Sequence, residues 1–129
     1  MRGHRHHKRF CVLYRLIQRV KNRVYLILLA LAGSDLHGLG IARAVQELSD
    51  GRTRLWPAAL YGTLDELEEG GLIEELNDPR QRPADESDKK RFYRLTRAGH
   101  RSLAAETDRL AALVKVARSR LKPRSGDAS

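Results

Sequence analysis

Trp56-Pro57-Ala58-Ala59-Leu60-Tyr61-Gly62-Thr63-Leu64-Asp65-Glu66-Leu67-Glu68-Glu69-Gly70-Gly71-Leu72-Ile73 is the stretch on which the fold turns. Pro57 suits the first position of a helix, where its missing N–H costs nothing. Leu60, Leu64 and Leu67 recur at helical spacing and form one apolar stripe. Gly70-Gly71 stops the helix, and Leu72 to Leu76 reads as a short strand. Asn77 to Lys90 is a polar loop containing Pro79 and Pro83. Arg91 to Leu95 alternates polar and apolar as a returning strand, with Phe92 and Leu95 on opposite faces.

Upstream, Phe10 to Ala32 reads as one long helix or two abutting ones, with apolar residues at Leu13, Leu16, Ile17, Val20, Val24, Leu28 and Leu31. Gly33-Ser34-Asp35 breaks it, and Asp35 is placed to cap a second helix from Leu36 to Ser49, with Ile41, Val45 and Leu48 as its core stripe. Asp50-Gly51 is a turn, and Thr53 to Trp56 a short extended piece. Thr96 is placed to cap a fourth helix reaching about Leu121. Three helices followed by a hairpin outline a winged helix-turn-helix. The expected class is mainly α with a small β-hairpin: a winged helix-turn-helix domain plus a C-terminal dimerisation helix. The expected divisions are a disordered basic arm over 1–9, the N-terminal helix and winged domain over 10–96, the dimerisation helix over 97–121 and a disordered tail over 122–129.

Composition narrows the partners. The chain has 129 residues, 41% apolar and 32% charged, which suits one small globular domain. Its net charge is +9, unevenly placed. Eight cations (Arg2, Arg5, Lys8, Arg9, Arg15, Arg19, Lys21 and Arg23) precede the first acid, Asp35. Removing those eight from the 25 Lys and Arg leaves 17, against 16 Asp and Glu. Further basic runs lie at Lys89-Lys90-Arg91 and from Arg118 to Arg124, while Asp65 to Asp88 is rich in acids. A polarised basic surface suits nucleic acid. The longest apolar run, Val24 to Ala32, falls far short of the ~20 residues of a membrane span, so no membrane association is expected. Cys11 is the single cysteine, consistent with a reducing cytoplasm, and its apolar neighbours favour a packing role.

In the third helix the core stripe leaves a second face, Ala58, Tyr61, Gly62 and Asp65. Small residues on such a face let a helix sit deep in a major groove. Gly62 costs a helix interior roughly 1 kcal/mol relative to alanine. Close approach to DNA and close approach to another helix are both left open as its reason. Tyr61 suits a phosphate or sugar contact, or a half-buried packing place. Arg, Asn and Gln, the usual readers of base edges, are missing between Ala58 and Leu67, so readout would rest on few contacts, on shape and on the wing. Lys89, Lys90 and Arg91 sit on the hairpin, within reach of flanking phosphates.

Leu36-His37-Gly38-x-x-Ile41-Ala42, then Pro57-x-x-Leu60-Tyr61-x-x-Leu64-x-x-Leu67-Glu68-x-x-Gly71-Leu72-Ile73, then Phe92-Tyr93-x-Leu95-Thr96-x-x-Gly99 resembles the PadR family of bacterial transcriptional regulators over about residues 24 to 121. The resemblance implies a homodimeric winged-helix repressor on a roughly palindromic operator. Pro57 to Tyr61, with Ala58 and Ala59, would begin the DNA-reading helix, and the hairpin after Ile73 would be the wing. The chain departs from the family pattern in carrying Leu39-Gly40 where an aromatic and a glutamate are common, and Trp56 where serine commonly precedes the proline. Losing a serine cap costs about 1 kcal/mol unless packing compensates.

In the fourth helix, Leu103, Thr107, Leu110, Val114, Ala117 and Leu121 form a heptad-like seam, widened by Leu113. These residues are the expected homodimer contacts; part of the stripe can pack on its own subunit, while the distal part, Leu110 to Leu121, extends beyond a one-domain core. His4, His6 and His7 have no acid or cysteine beside them, so no metal site is expected. His37 reads as a capping or packed histidine, and Trp56 as a core or hinge residue before a pocket residue. Neither a nucleophile–base pairing nor a phosphate loop has a supporting context, so neither an enzyme nor a cofactor is expected. A small-molecule effector of unspecified identity remains a candidate partner beside double-stranded DNA. The sequence thus points to a cytoplasmic DNA-binding regulator. Its rival is a winged-helix interaction module docking a basic partner through the acidic 65–88 stretch.

Overall fold

The computed structural model describes residues 22–76 and 91–123. The expected arm over 1–9, Cys11, the upstream part of the expected first helix, the expected loop Asn77 to Lys90 with Lys89 and Lys90, and residues 124–129 lie outside it. The described chain runs as helix α1 over 22–33, strand β1 Leu36–His37, helix α2 Gly38–Leu48, helix α3 Pro57–Glu69, strand β2 Ile73–Leu76, strand β3 Phe92–Leu95 and helix α4 Arg97–Leu121. The class expected from the sequence, mainly α with a small β element and a C-terminal helix, is the class observed.

One strand was not expected. Leu36 and His37 do not begin α2 behind an Asp35 cap. They pair antiparallel with Tyr93 and Phe92, making a three-stranded sheet in the order β1-β3-β2. The gain is physical: β3, otherwise an open edge, is hydrogen-bonded on both sides. Leu36 meanwhile packs against the core. His37 becomes the N-cap of α2 without a side-chain capping bond, and its ring packs 5.3 Å from that of Phe92.

Ile27, Leu28 and Leu31 of α1, Ile41 and Val45 of α2, Leu60, Leu64 and Leu67 of α3, and Ile73, Tyr93 and Leu103 make one core. Burying such side chains, at about 1.5–3 kcal/mol each, is what offsets the ordering entropy of a domain this small. Leu48 does not join it. It lies 49% exposed in the last turn of α2, which runs past the core. Both ends of α3 are set locally. Pro57 opens it. At its C-terminus the Leu72 N–H donates to the Leu67 carbonyl and the Gly71 N–H to the Glu68 carbonyl, a Schellman pair that needs the positive φ of 76° at Gly71. Thr96 caps α4 as expected, accepting from the Gly99 N–H at 3.0 Å while donating to the Gly71 carbonyl. One threonine therefore ties the end of α3 to the start of α4.

Candidate nucleic-acid interface

Helix α3 is held from one side. Leu60, Thr63, Leu64 and Leu67 face inward, and the Thr63 hydroxyl donates to the Ala59 carbonyl at 2.8 Å. The other side is open: Pro57, Ala58, Tyr61, Gly62 and Asp65 are exposed, and Ala59 is half-buried at its border. A Cβ added at Gly62 would meet nothing within 4 Å. Among the described residues, then, close packing against another helix is not what the glycine serves. Tyr61 is 44% exposed, so it is neither core nor free. Its ring leans over Gly38 at the start of α2, where a Cβ would come within 2.6 Å of the Tyr61 hydroxyl. A glycine in one helix thus fixes the rise of the tyrosine on the next.

The hairpin shows what sequence reasoning missed. Arg91 is not a free cation. Its guanidinium grips Glu75 through two bonds, Nε to Oε1 at 3.0 Å and Nη2 to Oε2 at 2.9 Å, and lies 5.9 Å over the Tyr93 ring. The hydrogen bonds to Glu75 hold it charged far above any working pH. Directly across β2 and β3, Glu74 opposes Arg94 in register and pairs with it. The signal was present in the sequence as two acids, Glu74 and Glu75, in one strand segment and two arginines, Arg91 and Arg94, in or beside the next, but it needs the register to be read. Tyr93 is fully buried, and its hydroxyl finds no partner among the described residues; burial pushes its pKa up.

Trp56 is not a core residue. It is 65% exposed as the N-cap of α3, gives no side-chain capping bond, and carries the Arg54 guanidinium 5.6 Å over its ring.

The expected dimer residues divide. Leu103 is 7% exposed, buried in the core of its own subunit, and Thr107 hydrogen-bonds Tyr25 of α1 at 2.9 Å. Leu110 is half-buried. Beyond it, Leu113, Val114, Ala117 and Leu121 are exposed, as is Val116, which the seam did not include. Among the described residues no helix is long and apolar enough to cross a membrane, and no group of His, Cys, Asp and Glu could hold a metal ion.

A three-helix core, a reading-type helix with a bare outer face, a strand from each side of α2 and α3 closing one sheet, and a long C-terminal helix can be compared with known proteins. The transcriptional regulator PadR-like family model matches residues 27–105. The chain belongs to the PadR-like family of transcriptional regulators. It is similar to a transcriptional regulator from Clostridium thermocellum, with a TM-score of 0.63 at 20% identity over 84% of this chain and 96% of that one. A PadR family transcription regulator from Clostridium difficile gives 0.61 at 23% identity, over 78% and 98%. Bacillus subtilis PadR in complex with operator DNA gives 0.54 at 23% identity, over 65% and 45%. At these identities the likeness is one of fold. In sequence the chain is 36% identical over 95 residues to an uncharacterized 37.1 kDa protein in a Streptomyces fradiae transposon. This PadR-like chain spans about a quarter of that protein's length, as 25% of it is covered.

Proposed function

We propose that this PadR-like protein is a cytoplasmic, sequence-specific DNA-binding repressor that acts as a homodimer on a palindromic operator. The observation that carries the proposal is the outer face of α3. Ala58, Tyr61 and Gly62 stand exposed on a helix whose other side is locked into the core, and among the described residues nothing packs on Gly62. A bare, small-residue helix face is what a major groove about 12 Å wide admits. The operator complex of Bacillus subtilis PadR supports the same use of the fold.

The homodimer rests on α4. Leu113, Val114 and Leu121 are 53%, 49% and 81% exposed on a helix of 25 residues, about 37 Å long. Such a stripe is stabilised by a partner helix. The competing reading, docking of a basic partner on the acidic 65–88 stretch, is weakened by the pairing of Glu74 with Arg94 and Glu75 with Arg91, which removes two of its charges. Selection of bound duplexes from a random DNA pool tests the proposal. Enrichment of a two-fold symmetric site is expected. Recovery of no preferred duplex would overturn it.

A further inference from the structure

We propose that the segment Arg52 to Trp56, ahead of the α3 helix, is a DNA-backbone clamp in which Trp56 lies against a deoxyribose and holds Arg54 for the adjoining phosphate. The inference rests on the reading of α3 as the DNA-contacting helix and adds residues outside that helix and outside the wing.

Three observations carry it. The first is exposure: Trp56, Pro57 and Ala58 form an uninterrupted run of exposed apolar residues, and Trp56 is 65% exposed although Leu55 beside it is 7% exposed. An indole left in water at a helix start contributes nothing to the core, and it offers no capping bond where serine would. The second is charge. Arg91, Arg94 and Arg109 each grip a carboxylate, from Glu75, Glu74 and Glu106. Arg52 and Arg54 are exposed and have no carboxylate partner among the described residues. α3 has no basic residue of its own to bring to DNA, so these two are the cations nearest in the chain to its head. The third is geometry. The Arg54 guanidinium sits 5.6 Å over the Trp56 ring, which restricts a long side chain before binding and lowers the entropy cost of a phosphate contact. Amphipathic Trp supplies flat contact area with a sugar, and Arg a forked donor for phosphate oxygens. Such contacts position a protein without reading sequence.

Trp56 is the single tryptophan of the chain, so its emission reports on this site alone. The experiment titrates the full-length protein with the selected duplex and with a scrambled duplex, following Trp56 emission and the anisotropy of labelled DNA together. Expected is a blue shift or quenching of emission with the same midpoint as the anisotropy. Arg54→Ala should weaken both duplexes alike, at least about tenfold, as the loss of one charge-assisted hydrogen bond per subunit implies, and should lower the salt slope of the dimer by about two, one for each subunit. Trp56→Ser should weaken both duplexes while raising the urea midpoint, because serine restores a helix cap; Trp56→Phe should recover most of the affinity. Unchanged emission with saturating anisotropy would overturn the clamp and leave the reading of α3 standing. Emission that changes with protein concentration alone would place Trp56 in a subunit contact and overturn it. A variant that alters which duplex is preferred would make the contact one to bases, and also overturn it. Absence of binding to any duplex would overturn both readings.

Discussion

Replacing Gly99 with alanine drives a Cβ into the carbonyl oxygen of Leu72 and to 2.9 Å from the carbonyl carbon. Carbon–oxygen contacts settle near ~3.3–3.6 Å, so the end of the α3–β2 turn must move away from α4. That same carbonyl accepts the Thr96 N–H at 3.1 Å. Overpacking against backbone costs about 1–3 kcal/mol, and weakening one hydrogen bond about 1 kcal/mol. Better helix propensity returns roughly 1 kcal/mol. The net expectation is a loss of about 2 kcal/mol. The same substitution at Gly62 meets nothing within 4 Å and should raise stability by roughly 1 kcal/mol. Two identical changes in two helices thus differ by about 3 kcal/mol. At about 1–3 kcal/mol per molar for the urea dependence, their midpoints should lie at least ~1 M apart. Urea unfolding followed by circular dichroism decides it. A wild-type midpoint for Gly99→Ala would refute the close approach of α4 to Leu72. A lowered midpoint for Gly62→Ala would refute the open face of α3.

Other outcomes follow from the same geometry. A dimer neutralising ~6 to 10 phosphates should lose about three to five decades of affinity between 50 and 200 mM salt, read by anisotropy; a flat response would sink the electrostatic account. Gly38→Ala pushes a Cβ to 2.6 Å from the Tyr61 hydroxyl, the flexible end of its side chain. Duplex affinity should fall several-fold with stability within about 1 kcal/mol of wild type, and an unaltered affinity would remove Tyr61 from the interface. Leu110→Glu with Val114→Glu should yield monomers in sedimentation and abolish operator binding; a double variant that still dimerises would place the seam elsewhere.

Much of this was legible because it is local. Pro57, the Leu60-Leu64-Leu67 stripe, Gly70-Gly71 and the Thr96 cap each act within a few residues, and the structure places each as the spacing implies. β1 was not legible. Two residues cannot show a period, and their strand identity comes from Phe92 and Tyr93, more than fifty residues away. The Arg91–Glu75 grip was hidden for the same reason: both charges look solvated until the strand register sets Glu75 opposite Tyr93 and so brings Arg91, two residues earlier, within diagonal reach. Trp56 misled because a large aromatic ordinarily enters the core. Here Leu55, its neighbour, takes the buried place and turns the indole outward. A heptad pattern cannot tell the helix's own core from another subunit's, and Leu103, at the start of the seam, packs in its own.

In the proposed complex the open face of α3 enters the DNA groove. This is tested most directly by the affinity of Gly62→Leu for the selected duplex, with the urea midpoint measured on the same sample. Expected is a loss of at least about tenfold, the cost of ~1.4 kcal/mol of lost contact, with a midpoint at or above that of the wild type. Wild-type affinity with leucine at this position would contradict it.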